Sequence, residues 1–186
     1  MNNNNNLKVE SQLTLSDIVK YILIMAAILT AFALFSNVRT AKAIEVEQIS
    51  GIAYFDDTET CDEAITNEAG QSPDFALTMT GDLEGCLYTF VETATCSKSG
   101  VYKETGTETY VGDGSPGNDG TFTTTYQFIA KYEDCPNLAG QTFGKCHHPI
   151  AAHSGTKDYE GVSGYFDIKD DLAAGNYPYS GHLYFN

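Results

Sequence analysis

Tryptophan is missing from this chain and basic side chains are scarce. Ten Lys and Arg stand against 25 Asp and Glu over 186 residues, for a net charge of −15. A phosphate-binding protein needs a basic footprint, so the charge disfavours nucleic acids and anionic membrane surfaces as partners. The common enzyme signatures are missing too. Without G-x-S-x-G, a P-loop or H-E-x-x-H, the usual hydrolase, nucleotide and metalloprotease readings lose their support. No C-x-x-C pair occurs, which removes a zinc ribbon and a thioredoxin-like motif. The missing tryptophan also counts against an immunoglobulin-like sandwich, whose core usually carries one.

One long apolar run is present. Residues 21–35 (YILIMAAILTAFALF) follow a polar stretch that opens with an Asn run, and Ala41-Lys42-Ala43 lies just beyond. A charged flank, a short apolar centre and a small-residue A-x-A site are the layout of an export signal cleaved after Ala43. The competing reading is an uncleaved anchor, with residues 18–35 as the sole membrane contact despite the charge of Lys20. Either way the chain divides into an N-terminal hydrophobic helix within residues 1–43 and one domain over residues 44–186. That domain carries 23 acids and six bases, a net charge of −17. All five cysteines fall within it. The expected location is secreted or periplasmic, or membrane-anchored with the domain outside the cytoplasm, where disulfides are the default.

Residues 44–186 are punctuated by Gly-rich turns, and period-two patterning marks half-buried strands. Phe75, Leu77 and Met79 form one apolar face; so do Phe122, Tyr126, Phe128 and Ala130 around Thr124. Val162, Phe166 and Ile168 form another, as do Tyr177, Tyr179, Leu183 and Phe185. Three further strands are less regular. A phase switch near Gln48–Ile49 suggests a bulge in the first, residues 85–95 place Cys86, Tyr88 and Phe90 on one face, and residues 144–152 place Cys146, His148 and Ile150 together. Residues 100–111 complete the set. The linker 56–73 leaves room for a single helical turn. Eight short strands joined by hairpin turns predict an all-β fold, an antiparallel up-and-down barrel whose closure removes unpaired edges. At eight strands the interior is just wide enough for side chains or one small ligand.

The residues Gly81-Asp82-Leu83, the aromatic strand 124–128 and the stretch 155–164 (GTKDYEGVSG) resemble the allene oxide cyclase and dirigent-like barrel superfamily. A final aromatic strand closes the set. The Cys pattern and Cys146-His147-His148-Pro149 look like exported bacterial members of that group. The resemblance implies an eight-stranded barrel whose interior takes small hydrophobic molecules. In some members the barrel is a cofactor-free cyclase, and in others it steers the coupling of phenolic radicals.

Alternating strand direction places the linker holding Cys61 and the turns at Cys96 and Cys135 at one end of the barrel. Cys86 and Cys146 read as inward residues within strands. The preferred pairing is therefore Cys86–Cys146 and Cys96–Cys135, with Cys61 left over. The histidines invite a metal site, but His147 and His148 are strand neighbours and point to opposite faces, so no metal is expected. Residues 113–120 offer oxygen ligands without the spacing of a calcium loop. Glu104 and Glu108 share a face with Tyr102, Gly106 and Tyr110. Turned inward, Glu108 would join His148 as a proton-transfer pair. Turned outward, the strand would be solvated and Val101 and Val111 would face the core. The ligand-binding candidates are Tyr88, Tyr126, Phe128, His148 and Tyr179, and the catalytic candidates are Glu108 and His148. No cofactor is called for. The expected function is an exported barrel that binds a small hydrophobic or phenolic molecule. The alternatives are a cofactor-free isomerase or cyclase, and an anchored envelope protein acting through protein partners.

Overall fold

A computed structural model describes residues 44–56 and 60–185, together with Ser16, Val19 and Lys20, which are helical. The chain divides into two units, Met1–Lys42 and Ala43–Asn186. Residues 21–43, with the apolar run and the expected cleavage site at Ala43, lie outside the described residues. Among those described, no helix is long and apolar enough to cross a membrane.

Eight strands follow in order: β1 (Glu45–Phe55), β2 (Phe75–Gly81), β3 (Gly85–Cys96), β4 (Val101–Gly112), β5 (Thr121–Asp134), β6 (Ala139–Pro149), β7 (Val162–Lys169) and β8 (Tyr177–Phe185). Each pairs antiparallel with its neighbours, and nine residue pairs between β1 and β8 close the barrel. The expected architecture is therefore present. A 3₁₀ turn at Lys157–Tyr159 precedes β7. The described part of the linker between β1 and β2 contains a turn near Glu68 and no helix.

Inward residues pack the barrel interior toward one end. Tyr110 stacks on Phe122 with ring centroids 4.7 Å apart, and Tyr159 meets both edge-on. Met79, Leu83, Leu87, Val162, Phe166 and Leu183 pack around them, all at or near full burial. Burying each such side chain contributes about 1.5–3 kcal/mol. The polar tips in this plug are satisfied: the Tyr159 hydroxyl donates to Asn118 Oδ1 at 2.7 Å and the Tyr110 hydroxyl to the Glu84 carbonyl at 2.9 Å. The Leu83 amide donates to the Tyr179 hydroxyl at 2.7 Å. Burial pushes the Tyr179 and Tyr159 phenols up to about 12, so both remain neutral donors.

Four expectations need correction. The β1–β8 register runs unbroken from Glu45 to Ala53, so the phase switch near Gln48–Ile49 is no bulge. Glu45 and Glu47 share the inward parity but stand in a rim pocket beside Asp82 and Asp158. Irregular register occurs instead at Val91/Thr93 in β3 and Lys131/Tyr132 in β5. Strand β6 begins at Ala139, because a tight turn after Cys135 lets it pair with the extended end of β5. In β3 the faces are reversed: Leu87 and Thr89 point inward, while Cys86 and Tyr88 lie under the linker. The Glu63 amide donates to the Tyr88 hydroxyl at 3.3 Å. With Cys86 on the outer face, the pairing is Cys61–Cys86, at a Cα separation of 5.7 Å, rather than Cys86–Cys146. Cys96–Cys135 forms as expected, and Cys146 is free.

Candidate functional site: a cavity at the open end of the barrel

Opposite the plug, the interior opens into a cavity of about 220 Å³. Strand ends build its mouth. Phe55 of β1 meets Phe75 of β2 and Tyr177 of β8 edge-on, at 5.4 and 5.2 Å between centroids. Across the mouth, Tyr102 of β4 packs against Phe128 and Tyr132 of β5 at 6.1 and 5.9 Å. Period two puts all six rings on the inner face, and closure of the sheet brings them into one circle.

The floor is polar and dry. Glu108 of β4 is 3 % exposed and His148 of β6 is 2 % exposed. Their Oε2 and Nδ1 atoms are 2.6 Å apart. The Thr124 hydroxyl donates to the same Oε2 at 2.6 Å, and the Thr89 hydroxyl donates to Oε1 at 3.2 Å. Three groups thus aim donors at one carboxylate, which places a proton on His148 Nδ1. The imidazole is clamped flat on Phe166, with centroids 4.5 Å apart and planes 5° from parallel. Among the described residues, His148 Nε2 is the one buried side-chain polar atom without a hydrogen-bond partner. A buried polar atom left so costs about 1–3 kcal/mol, a cost that a bound partner would relieve.

Glu104 stands one turn of the pleat nearer the mouth. It accepts the Tyr102 hydroxyl at 2.5 Å and the Tyr126 hydroxyl at 2.8 Å. Burial first, then these bonds to Glu104, push both phenols well above their ordinary range, so they serve as fixed donors. Tyr126 reaches Glu104 because the intervening inward residue of β4 is Gly106. A Cβ there would collide with the Phe90 carbonyl and the Tyr126 ring. Asp170, just beyond β7, accepts from the Gln141 side chain at the rim, and burial raises its carboxyl above the usual range.

Cys146 lines the same cavity. Burial, and then the charges of Glu108, Glu104 and Asp170, drive its thiol far above the ordinary value. It is therefore a protonated, weakly polar wall group rather than a nucleophile.

The structure brings Glu108, His148, Tyr126 and Phe128 to one cavity. Tyr179 is inward but belongs to the opposite end, and Tyr88 is outside the barrel wall. His147 is exposed, with Nδ1 2.6 Å from Asp167 Oδ1, so the strand alternation separates it from His148. Phe55, Phe75, Asp170, Gln141 and Leu138 also line the cavity. Period two already put Phe75 on an apolar face with Leu77 and Met79; the others sit near strand ends or in turns, where local patterning carries little signal about inward direction. An inward Glu104 follows from an inward Glu108 by period two alone, and that is the cue for its role. No family model, no curated protein and no solved structure matches this chain.

Proposed function

We propose that the barrel is an exported binding protein that holds a small, largely apolar ligand in its open-end cavity. The carrying observation is the cavity of about 220 Å³, ringed by aromatic side chains and closed below by a plugged core. A cavity of roughly 150 Å³ already accommodates a benzene ring, so a one-ring ligand, phenolic ones included, matches the space. Two disulfides accord with an oxidising compartment outside the cytoplasm. An eight-stranded closed barrel is also the architecture that kinship with the allene oxide cyclase and dirigent-like barrels implies. Fold alone does not carry their chemistry over.

The test is native mass spectrometry of the full-length chain purified without denaturation, alone and with 2-phenylethanol as a one-ring probe. Retention of a small ligand or binding of the probe is expected, with loss of both in an Ile168→Trp variant that fills the cavity. Binding that survives Ile168→Trp, or no binding at millimolar probe, overturns the proposal.

A second reading rests on the unpartnered His148 Nε2 above Glu108. An imidazole oriented by a buried carboxylate is the arrangement of a general base. In a cofactor-free isomerase, Nε2 would take a proton from one carbon of the ligand and return it to another, with Glu108 stabilising the transient imidazolium. Exchange of ligand C–H protons for deuterium that is abolished by His148→Gln would support it.

A further inference from the structure

Counting donors and acceptors around the cavity narrows the ligand class. The carboxylates of Glu104, Glu108 and Asp170 are acceptors, and His148 Nε2 has no partner. The strong donors beside them are mostly committed. Tyr102 and Tyr126 donate to Glu104, Thr89 and Thr124 to Glu108, and Tyr132 and Gln141 serve one another and Asp170. The Tyr177 hydroxyl and the weak Cys146 S–H are the donors left on the described wall. No Lys or Arg lines the cavity among the described residues. Seven of its sixteen lining residues are aromatic, and their ring faces attract positive charge.

Resting on the ligand-binding reading above, the geometry points to an organic cation as the occupant. It is a small ammonium whose apolar body sits within the aromatic mouth and whose N–H groups reach Glu104 and His148 Nε2. Four observations converge on this class. The wall supplies acceptors with few donors, it carries uncompensated carboxylates, and it presents π faces at the mouth. His148, a cavity-lining residue 98 % buried, has an Nε2 without a partner. An anionic ligand meets like charge, and a neutral hydrocarbon leaves Nε2 unsatisfied. The chain's net charge of −15 adds a long-range field that draws cations toward the surface.

The test is calorimetric titration of the full-length chain at pH 7 with 2-phenylethylammonium, its neutral isostere 2-phenylethanol, and 3-phenylpropanoate. The ammonium is expected to bind at least about 10-fold tighter than the alcohol, and the carboxylate weakest. Glu104→Gln should shrink the ammonium preference over the alcohol to within about 3-fold. Asp170→Asn, at the rim, gives a second reading should Glu104→Gln fail to fold by circular dichroism. Equal or tighter binding of the alcohol overturns the cation assignment and leaves the binding reading standing. A preference that survives both substitutions also overturns it. Absence of binding by all three ligands overturns both.

Discussion

A carboxylate shut away with two threonine hydroxyls and a histidine has no water to turn to when a partner is removed. Glu108 accepts from Thr89, Thr124 and His148 at once. Truncation to Ala leaves three buried donors unmet, each worth about 1–3 kcal/mol. Glu108→Ala should therefore lower unfolding free energy by about 3–5 kcal/mol in urea titrations, the size seen when a buried pair loses one member. Glu108→Gln keeps an acceptor oxygen and should cost clearly less. Unchanged stability for both variants would remove Glu108 from its assigned place. Asp170 behaves in the opposite sense. Burial raises its folded-state carboxyl pKa, so the folded chain holds that proton more tightly than the unfolded chain does. Ionisation then costs stability at neutral pH, and the cost vanishes as pH falls through the raised value toward the unfolded one near 3.9. Asp170→Asn should raise Tm at pH 7 by about 1–2 °C. Melts at successively lower pH should show the two proteins converging, and a variant that melts lower at pH 7 would contradict the sign.

At the scale of the strand, β4 shows how one small residue shapes the site. Gly106 lies opposite Tyr126 in the ladder, between the inward Glu104 and Glu108. Without a Cβ, it lets the Tyr126 ring lean across β4 and place its hydroxyl on Glu104. Gly106→Ala should cost at least about 2 kcal/mol through overpacking, and it should break the Tyr126–Glu104 bond. Loss of the near-ultraviolet tyrosine dichroism alongside a lower urea midpoint would report both effects; wild-type values of each would refute the packing argument. Strands β2, β5, β7 and β8 were legible in the sequence because each has one dry face and one wet face. Strand β3 was not. The linker covers its outer side, so Tyr88 and Phe90 are as buried as Leu87 and Thr89 and the alternation disappears. The readable cue was chemical: a cysteine in the linker, Cys61, needs a partner on the wall beneath it.

For the whole molecule, closure converts parity into proximity. Glu108 and His148 lie 40 residues apart in the chain and meet because β4, β5 and β6 are consecutive staves. Strand alternation thus sufficed to place His148, Tyr126 and Phe128 inside, while Asp170 lies just beyond β7 and Gln141 pairs with Tyr132 at the register shift, which no periodicity encodes. The disulfides follow the same logic. Cys96–Cys135 joins the ends of β3 and β5 beside the mouth, and Cys61–Cys86 pins the linker to the outer wall. Cys86 and Cys146 are on opposite sides of the wall, so a bond between them would require turning a strand inside out. Non-reducing peptide mapping should recover the two observed links and a single thiol at Cys146, slow to alkylate until the barrel unfolds. The links span 25 and 39 residues, for which loop-closure entropy assigns each about 3–4 kcal/mol. Replacing Cys61 and Cys86 together by Ser should lower stability by about that amount and free the linker over Tyr88, raising its hydrogen exchange while the β4–β6 ladder stays protected. A Cys86–Cys146 peptide, or exchange rising equally in β4–β6, would show that the wall and its covering linker are not organised in this way.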